Sequence, residues 1–124
     1  MSKILIVDDD PHIRELASVF LRQAGFDMIE ACDGKEALAK LDSVKVDLFV
    51  IDIMMPVMDG CEFRAEQLRD PRLCHIPIVV ITAHANIREM EAELKTSGAL
   101  RKPVSLPVLL AVARLHCGEP NRTV

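Results

Sequence analysis

The stretch VDLFVIDIMMPVMDG, residues 46–60, decides the fold. Leu48-Phe49-Val50-Ile51 is a continuous apolar run of strand-forming residues, the pattern of a strand buried on both faces. A single carboxylate, Asp52, closes the run. Three mostly apolar residues, Pro56 and the turn pair Asp59-Gly60 follow. Asp52 is thus set at the carboxyl end of a central strand, the edge where open α/β sheets bind their ligands. A carboxylate there can be a nucleophile, a metal ligand or a helix cap.

Towards the N-terminus, Lys3–Val7 is a short apolar strand running directly into Asp8-Asp9-Asp10-Pro11. Asp10 suits an N-cap and Pro11 a first helical turn. Ile13, Leu16, Ala17, Phe20, Leu21 and Ala24 then form one helical stripe, expected to be buried, and Gly25 ends the helix. Residues 26–31 read as a second strand. Asp33-Gly34 opens a short helix carrying Ala37, Leu38 and Leu41, and the central strand spans Asp47–Ile51.

Beyond the central stretch, a third helix runs from Gly60 to about Arg69, with Cys61, Ala65 and Leu68 as its expected inner side. Ile76–Ile81 is a β-branched fourth strand, with Thr82-Ala83-His84 at its exit. Asn86 suits the cap of a fourth helix with stripe Ile87, Met90 and Leu94, expected to end at Ser97-Gly98. Ala99–Arg101 leaves room for a very short fifth strand before Lys102-Pro103. Ser105 caps a last helix, with Pro107 in its first turn and Leu109, Leu110, Val112, Ala113 and Leu115 beyond; Gly118 onward reads as frayed. Five βα units in alternation imply a doubly wound parallel sheet with helices on both faces, in one domain over residues 1–118 with a tail at 119–124.

Composition narrows the function classes. Half of the 124 residues are hydrophobic and 27% are charged, as in a globular domain. The net charge of −4, without a Lys/Arg cluster, argues against direct nucleic-acid binding. No apolar run approaches the roughly 18 residues of a membrane span, and Asp8-Asp9-Asp10 cut the apolar start too short for a secretion signal. Cys32, Cys61, Cys74 and Cys117 lack metal-ligand spacing and read as reduced cytoplasmic thiols. The scattered histidines read as surface or capping residues.

Four strand exits carry polar residues: Asp8-Asp9, Asp52, Thr82 and Lys102. A parallel sheet puts all of them along one edge. Any one alone is better read as a cap, an acidic loop, a strand threonine or a surface lysine; their joint placement makes a site. Clustered carboxylates repel unless a cation joins them, and Mg²⁺ with oxygen ligands, or Mn²⁺ in its place, resolves the repulsion. Thr and Lys supply donors for anionic oxygens, so the set suits phosphoryl transfer onto a carboxylate.

At these residues the chain resembles the receiver domains of two-component response regulators, the CheY-like family. The opening ILIVDDDP, the central DIMMPVMDG, the ITAH at strand four and the late KP are similar to that family's marks, in the same order across residues 3 to about 116. The resemblance implies a flavodoxin-like sheet in the order 2-1-3-4-5. It implies Asp52 as phosphoacceptor, with Asp9 and the Met54 backbone carbonyl as Mg²⁺ ligands and Asp8 acting through metal-bound water. Thr82 and Lys102 would contact phosphoryl oxygens, and the Lys102-Pro103 bond would be cis. Met54 and His84 would flank the water that hydrolyses the acyl phosphate and set its lifetime. Such a domain is a signalling domain rather than an enzyme on other substrates. The implied partners are a histidine kinase or histidine phosphotransfer protein, docking near Pro11, Ile13 and Pro103-Val104. A downstream protein or a phosphorylation-dependent second copy would meet the face of helix four, strand five and helix five.

Two departures stand out. Ala99 occupies the position, three before the lysine, of the family's usual Tyr or Phe, whose rotamer reports phosphorylation; GALRKP also reads as about three residues short before that lysine. Val104 stands where Phe is common. The missing aromatic keeps a receiver-like interaction module that works without phosphorylation as the alternative. A haloacid-dehalogenase-type hydrolase is disfavoured because His12 breaks its DxDx(T/V) pattern, and flavin binding because three carboxylates occupy the phosphate loop.

Overall fold

The computed structural model describes residues 2–83 and 87–118, except the side chains of Met90 and Glu93. Its elements alternate: β1 (Lys3–Val7), α1 (Pro11–Gln23), β2 (Asp27–Ala31), α2 (Gly34–Leu41), β3 (Leu48–Asp52), α3 (Gly60–Arg69), β4 (Ile78–Thr82), α4 (Ile87–Leu94), β5 (Gly98–Arg101) and α5 (Leu106–Cys117). The strands form one parallel sheet in the order β2-β1-β3-β4-β5. The α/β fold and strand order are those expected from the sequence. Tail residues 119–124 and the expected cap Asn86 lie outside the described residues.

Period-two alternation along the central strands builds two cores. Leu5, Val7, Phe49, Ile51 and Val80 face α2 and α3, with Leu94 of α4 packed on the same side. Ile4, Ile6, Leu48, Val50, Val79 and Ile81 face Ala17 and Leu21 of α1 and Leu109 and Ala113 of α5. Every residue of β3 and β4 is buried, which is why these strands read as unbroken apolar runs. Among the described residues, no helix is long and apolar enough to cross a membrane.

Three helices bury a different set of residues from the one read in the sequence. In α1 only Ala17, Ser18 and Leu21 are buried, while Ile13 and Leu16 of the expected stripe are exposed. They wall an apolar groove of about 410 Å³ shared with Pro103, Val104 and Leu106. In α3 the inner face is Gly60, Phe63 and Gln67, whereas Ala65 and Leu68 of the expected face are exposed. Phe63 packs edge-on against Phe49 with ring centroids 5.2 Å apart. Gln67 is buried because its amide donates to the carbonyls of Leu73 and Ile76, at 3.0 and 2.8 Å. In α5, Leu109 and Ala113 are buried but Leu115 is exposed.

The fourth helix ends earlier than Ser97-Gly98. It stops at Leu94, and Lys95 takes the left-handed conformation, with φ 54°. Gly98 belongs to β5 and pairs with Val79. β5 is accordingly short, with four residues from Gly98 to Arg101 before Lys102. No glycine ends α4; Arg64 of α3 instead donates to the carbonyls of Leu94 at 3.0 Å and Lys95 at 2.7 Å.

Candidate functional site

Parallel pairing sets the strand exits side by side. Val7 pairs with Ile51, and Asp52 pairs with Ile81, so Thr82 lies one residue farther out on β4. The ladder continues past β5, where the Lys102 amide donates to the Thr82 carbonyl at 2.9 Å. Asp8, Asp52 and Thr82 are buried, whereas Asp9 is exposed. One carboxylate oxygen from each of Asp8, Asp9 and Asp52 lies within 4.8 Å of the others. The Lys102 ammonium donates to Asp52 Oδ2 at 2.8 Å and lies 3.7 Å from Asp8 Oδ2.

Local backbone holds two of the three carboxylates. The Asp10 amide donates to Asp8 Oδ1 at 2.9 Å, while the Asp10 side chain caps α1 through the amides of His12 and Ile13. The Met54 amide donates to Asp52 Oδ1 at 3.2 Å, and the Met54 side chain is exposed. The chain then turns sharply. Met58 donates to the Pro56 carbonyl at 2.8 Å around Val57, whose φ is 69°. A reciprocal capping box of Asp59 and Glu62 starts α3. Gly60 passes so close to β3 that a Cβ would sit 2.9 Å from the Asp52 carbonyl oxygen and 2.9 Å from the Ile53 Cα.

Charge is unevenly balanced at this edge. Burial pushes the Asp8 carboxyl above the ordinary aspartate value, and the charges of Asp52 and Asp9 push the same way. The Asp10 amide and Lys102 oppose the shift without reversing it. Burial pulls the Lys102 ammonium down, but the hydrogen bond and charge of Asp52, with Asp8 and Asp9, outweigh that and raise it. Asp8 Oδ2 is buried without a hydrogen-bond partner. Three oxygen donors, one of them without a hydrogen bond, are a donor set suited to a hard divalent cation.

The structure thus brings Asp8, Asp9, Asp52 and Lys102 together, with Thr82 at the adjoining strand end. His84 lies outside the described residues. Ala99 is half-buried on β5, pairs with Val80 and packs on the α2/α3 side. The Lys102-Pro103 peptide is cis, and Val104 packs partly against the α1/α5 core. Sequence reading passed over Arg14, whose guanidinium donates to the Asp8 carbonyl at 2.7 Å and to Glu30 Oε1 at 3.2 Å. The only signal for it was an arginine one turn beyond a helix-capping aspartate.

Residues 4–114 match the model of the response regulator receiver domain. The DNA-binding dual master transcriptional regulator RpaA of Synechocystis is 37% identical over 125 residues, covering 98% of this chain and 52% of that protein, so the chain spans about half the length of this curated relative. The chemotaxis response regulator CheY4 of Vibrio cholerae superposes with a TM-score of 0.86 at 32% identity, covering 93% of this chain and 98% of that one. TrrA of Thermotoga maritima, solved in complex with Mg²⁺-BeF, superposes at 0.81 with 30% identity, covering 93% and 98%. Sheet order, the acidic edge and these likenesses agree: the chain belongs to the receiver-domain family of two-component response regulators.

Proposed function

We propose that Asp52 accepts a phosphoryl group from a phosphohistidine, with Asp8, Asp9 and the Met54 backbone carbonyl completing a Mg²⁺ site that Mn²⁺ can also fill. The observation that carries this reading is the meeting of three carboxylates, one buried oxygen without a hydrogen bond, with a lysine 2.8 Å from Asp52. When bound, the divalent cation offsets the mutual repulsion of the carboxylates and the charge of the phosphoryl oxygens. An Asp52 oxygen bonds to phosphorus as the phosphorus–nitrogen bond breaks, and the leaving imidazole takes up a proton. Lys102 exchanges part of its contact with Asp52 for a phosphoryl oxygen. The Thr82 hydroxyl donates to another, which draws the β4 exit inward. Water later hydrolyses the acyl phosphate, and the exposed Met54 side chain lines its approach.

The donor is a histidine kinase or a histidine phosphotransfer protein, docking beside Pro11, Ile13 and Pro103-Val104 in the cytoplasm. The output passes to a separate protein, a second copy or a further domain through the face of α4, β5 and α5. Residues 1–118 form the receiver unit. Ala99 favours a second reading, an interaction module that works without phosphorylation, because the usual aromatic reporter is missing.

Incubation with acetyl phosphate and Mg²⁺, followed by intact mass, separates the two. We expect a single phosphoryl adduct that requires the cation and is absent in Asp52→Asn. No adduct from acetyl phosphate or from a phosphorylated kinase, with Mg²⁺ binding intact, overturns the phosphoacceptor reading in favour of the second.

A further inference from the structure

Asp8 and Asp9 enter the site from the β1–α1 loop, and both peptide groups of Asp8 are tied to β2. Its N–H donates to the Ala31 carbonyl at 3.2 Å. Its C=O accepts from Arg14 Nη1 at 2.7 Å, and Arg14 Nε donates at 3.2 Å to Glu30, the residue before Ala31. Both side chains are partly buried. The carbonyl of Asp8 and the N–H of Asp9 share one rigid peptide plane. Fixing that carbonyl therefore fixes where the Cα of the exposed Asp9 sits and leaves its carboxylate only the rotations of Asp9 itself. Glu30 also matches the Arg14 charge with a carboxylate, so the acidic cluster keeps its own negative charge for a cation.

We propose that the Arg14–Glu30 pair is a positioning device. It orients the Asp8–Asp9 peptide so that the Asp9 carboxylate meets those of Asp8 and Asp52 in the geometry that binds a divalent cation. The inference deepens the metal reading given above and rests on it. Arg14 touches no reacting atom; it acts through the loop that carries the ligands, as groups behind metal ligands do when they hold them in place.

A rival role gives the opposite sign. If Arg14 served only as a nearby positive charge, removing it would tighten cation binding. A positioning role makes its removal weaken binding. The experiment is a Mg²⁺ titration of the full chain followed by amide NMR shifts, with thermal unfolding in the absence of the cation as a parallel measurement. For Arg14→Gln, Mg²⁺ affinity should fall about 10- to 100-fold, the range for groups supporting metal ligands. Arg14→Lys should recover part of the loss, because an ammonium can still donate to the Asp8 carbonyl. Glu30→Gln, which frees one end of the guanidinium, should show a smaller loss, and it decides the matter if Arg14→Gln does not fold. Unchanged or tighter Mg²⁺ binding in folded Arg14→Gln, or in Glu30→Gln where that variant decides, overturns the positioning role and leaves the metal site standing. A wild-type chain that does not bind Mg²⁺ overturns the metal reading itself, and this inference with it.

Discussion

The two ends of the site-bearing sheet edge are held by different means. At the β1 and β3 exits short-range bonds work beside the more distant ones from Ala31, Arg14 and Lys102. The Asp10 amide holds Asp8 and the Met54 amide holds Asp52, each from two residues away, while Asp59 and Glu62 cap each other three residues apart. Between α4 and β5 the main restraint is distant. Arg64, 30 residues before Leu94, holds the last carbonyls of α4, and Gln67 ties the same guanidinium to the loop before β4. The first region is therefore held redundantly, by these local bonds together with Ala31, Arg14 and Lys102. The second combines backbone bonds such as Ser97 N–H to the Ile78 carbonyl with one long side chain reaching across from α3.

The largest effect should come from breaking the stiff region at its closest contact. Gly60→Ala would drive a Cβ into the backbone of Asp52 and Ile53, at 2.9 Å from each. Backbone cannot rotate away as a side chain can, so the cost should reach about 3 kcal/mol, the upper end for overpacking. Urea unfolding measures it. Because the clash lies directly on the Asp52 peptide, phosphoryl incorporation should fall as well. A stability loss under about 0.5 kcal/mol would mean that the β3–α3 junction yields easily and that the two regions do not differ in stiffness.

The α4–β5 region should lose less overall and more locally. Arg64→Met removes donors from Leu94, Lys95 and Gln67. The Lys95 carbonyl is exposed and can be rehydrated, whereas the buried Gln67 oxygen loses a donor, so we expect about 1–2 kcal/mol, together with faster amide hydrogen exchange in the last turn of α4. Adding Lys95→Gly, which supplies a residue at ease with φ 54°, should restore part of the loss. Exchange that quickens equally across β3 would show that Arg64 supports the whole domain.

The same contrast governs what could be read in the sequence. Caps, turn pairs and strand runs are short-range signals, so Asp10, Asp59-Gly60 and the fully buried β3 were legible, and with them the edge that gathers Asp8, Asp9, Asp52 and Lys102. The inner face of α3 was not. Its buried polar residue, Gln67, has its partners in a loop beyond the helix, and apolar spacing favoured Cys61, Ala65 and Leu68 over Phe63. The end of α4 was misplaced because Gly98 is the only glycine nearby, and nothing in Lys95 announces a left-handed turn. Exposure of Ile13 and Leu16 was hidden too, since a helical stripe shows which face is apolar but not how much of it a neighbour covers.

Stiffness at the β1 and β3 exits has a cost that pH can expose. Burial raises the Asp8 carboxyl first of all, and the Asp52 charge adds to it. The folded chain therefore takes up a proton there at higher pH than the unfolded chain does. Stability from this group rises as pH falls from above the raised value towards the ordinary 3.8. Asp8→Asn removes the charge, so without divalent cation it should gain about 1 kcal/mol at neutral pH, in the range found when a functional site is relieved. The gain should vanish as pH falls through that window. Lys102 behaves oppositely: its contribution is complete below the ordinary lysine value of 10.5 and is lost only as pH rises through the elevated folded value. A gain from Asp8→Asn that persists below pH 3.8 would assign the effect to packing instead of charge.

The smallest effect concerns Val57, where the stiff region carries backbone strain. With Met58 N–H bonded back to the Pro56 carbonyl, Val57 at φ 69° is the centre of a γ-turn, a rare and strained conformation that a β-branched residue strongly disfavours. Its exposed side chain recovers little burial in exchange. The turn is maintained from outside, by Gly34 donating to the Met58 carbonyl at 3.1 Å on one side and by the Asp59–Glu62 box on the other. Asn accepts φ > 0 far more readily, so Val57→Asn should stabilise the chain by about 0.5–1 kcal/mol. Val57→Gly should gain less, since glycine frees the unfolded chain. If the strain only keeps the loop in shape, the Mg²⁺ affinity of Val57→Asn should equal that of the parent. An affinity that falls while stability rises would mean that the strained turn helps aim the Met54 carbonyl at the site, and the stiffness of this edge would then be part of its chemistry.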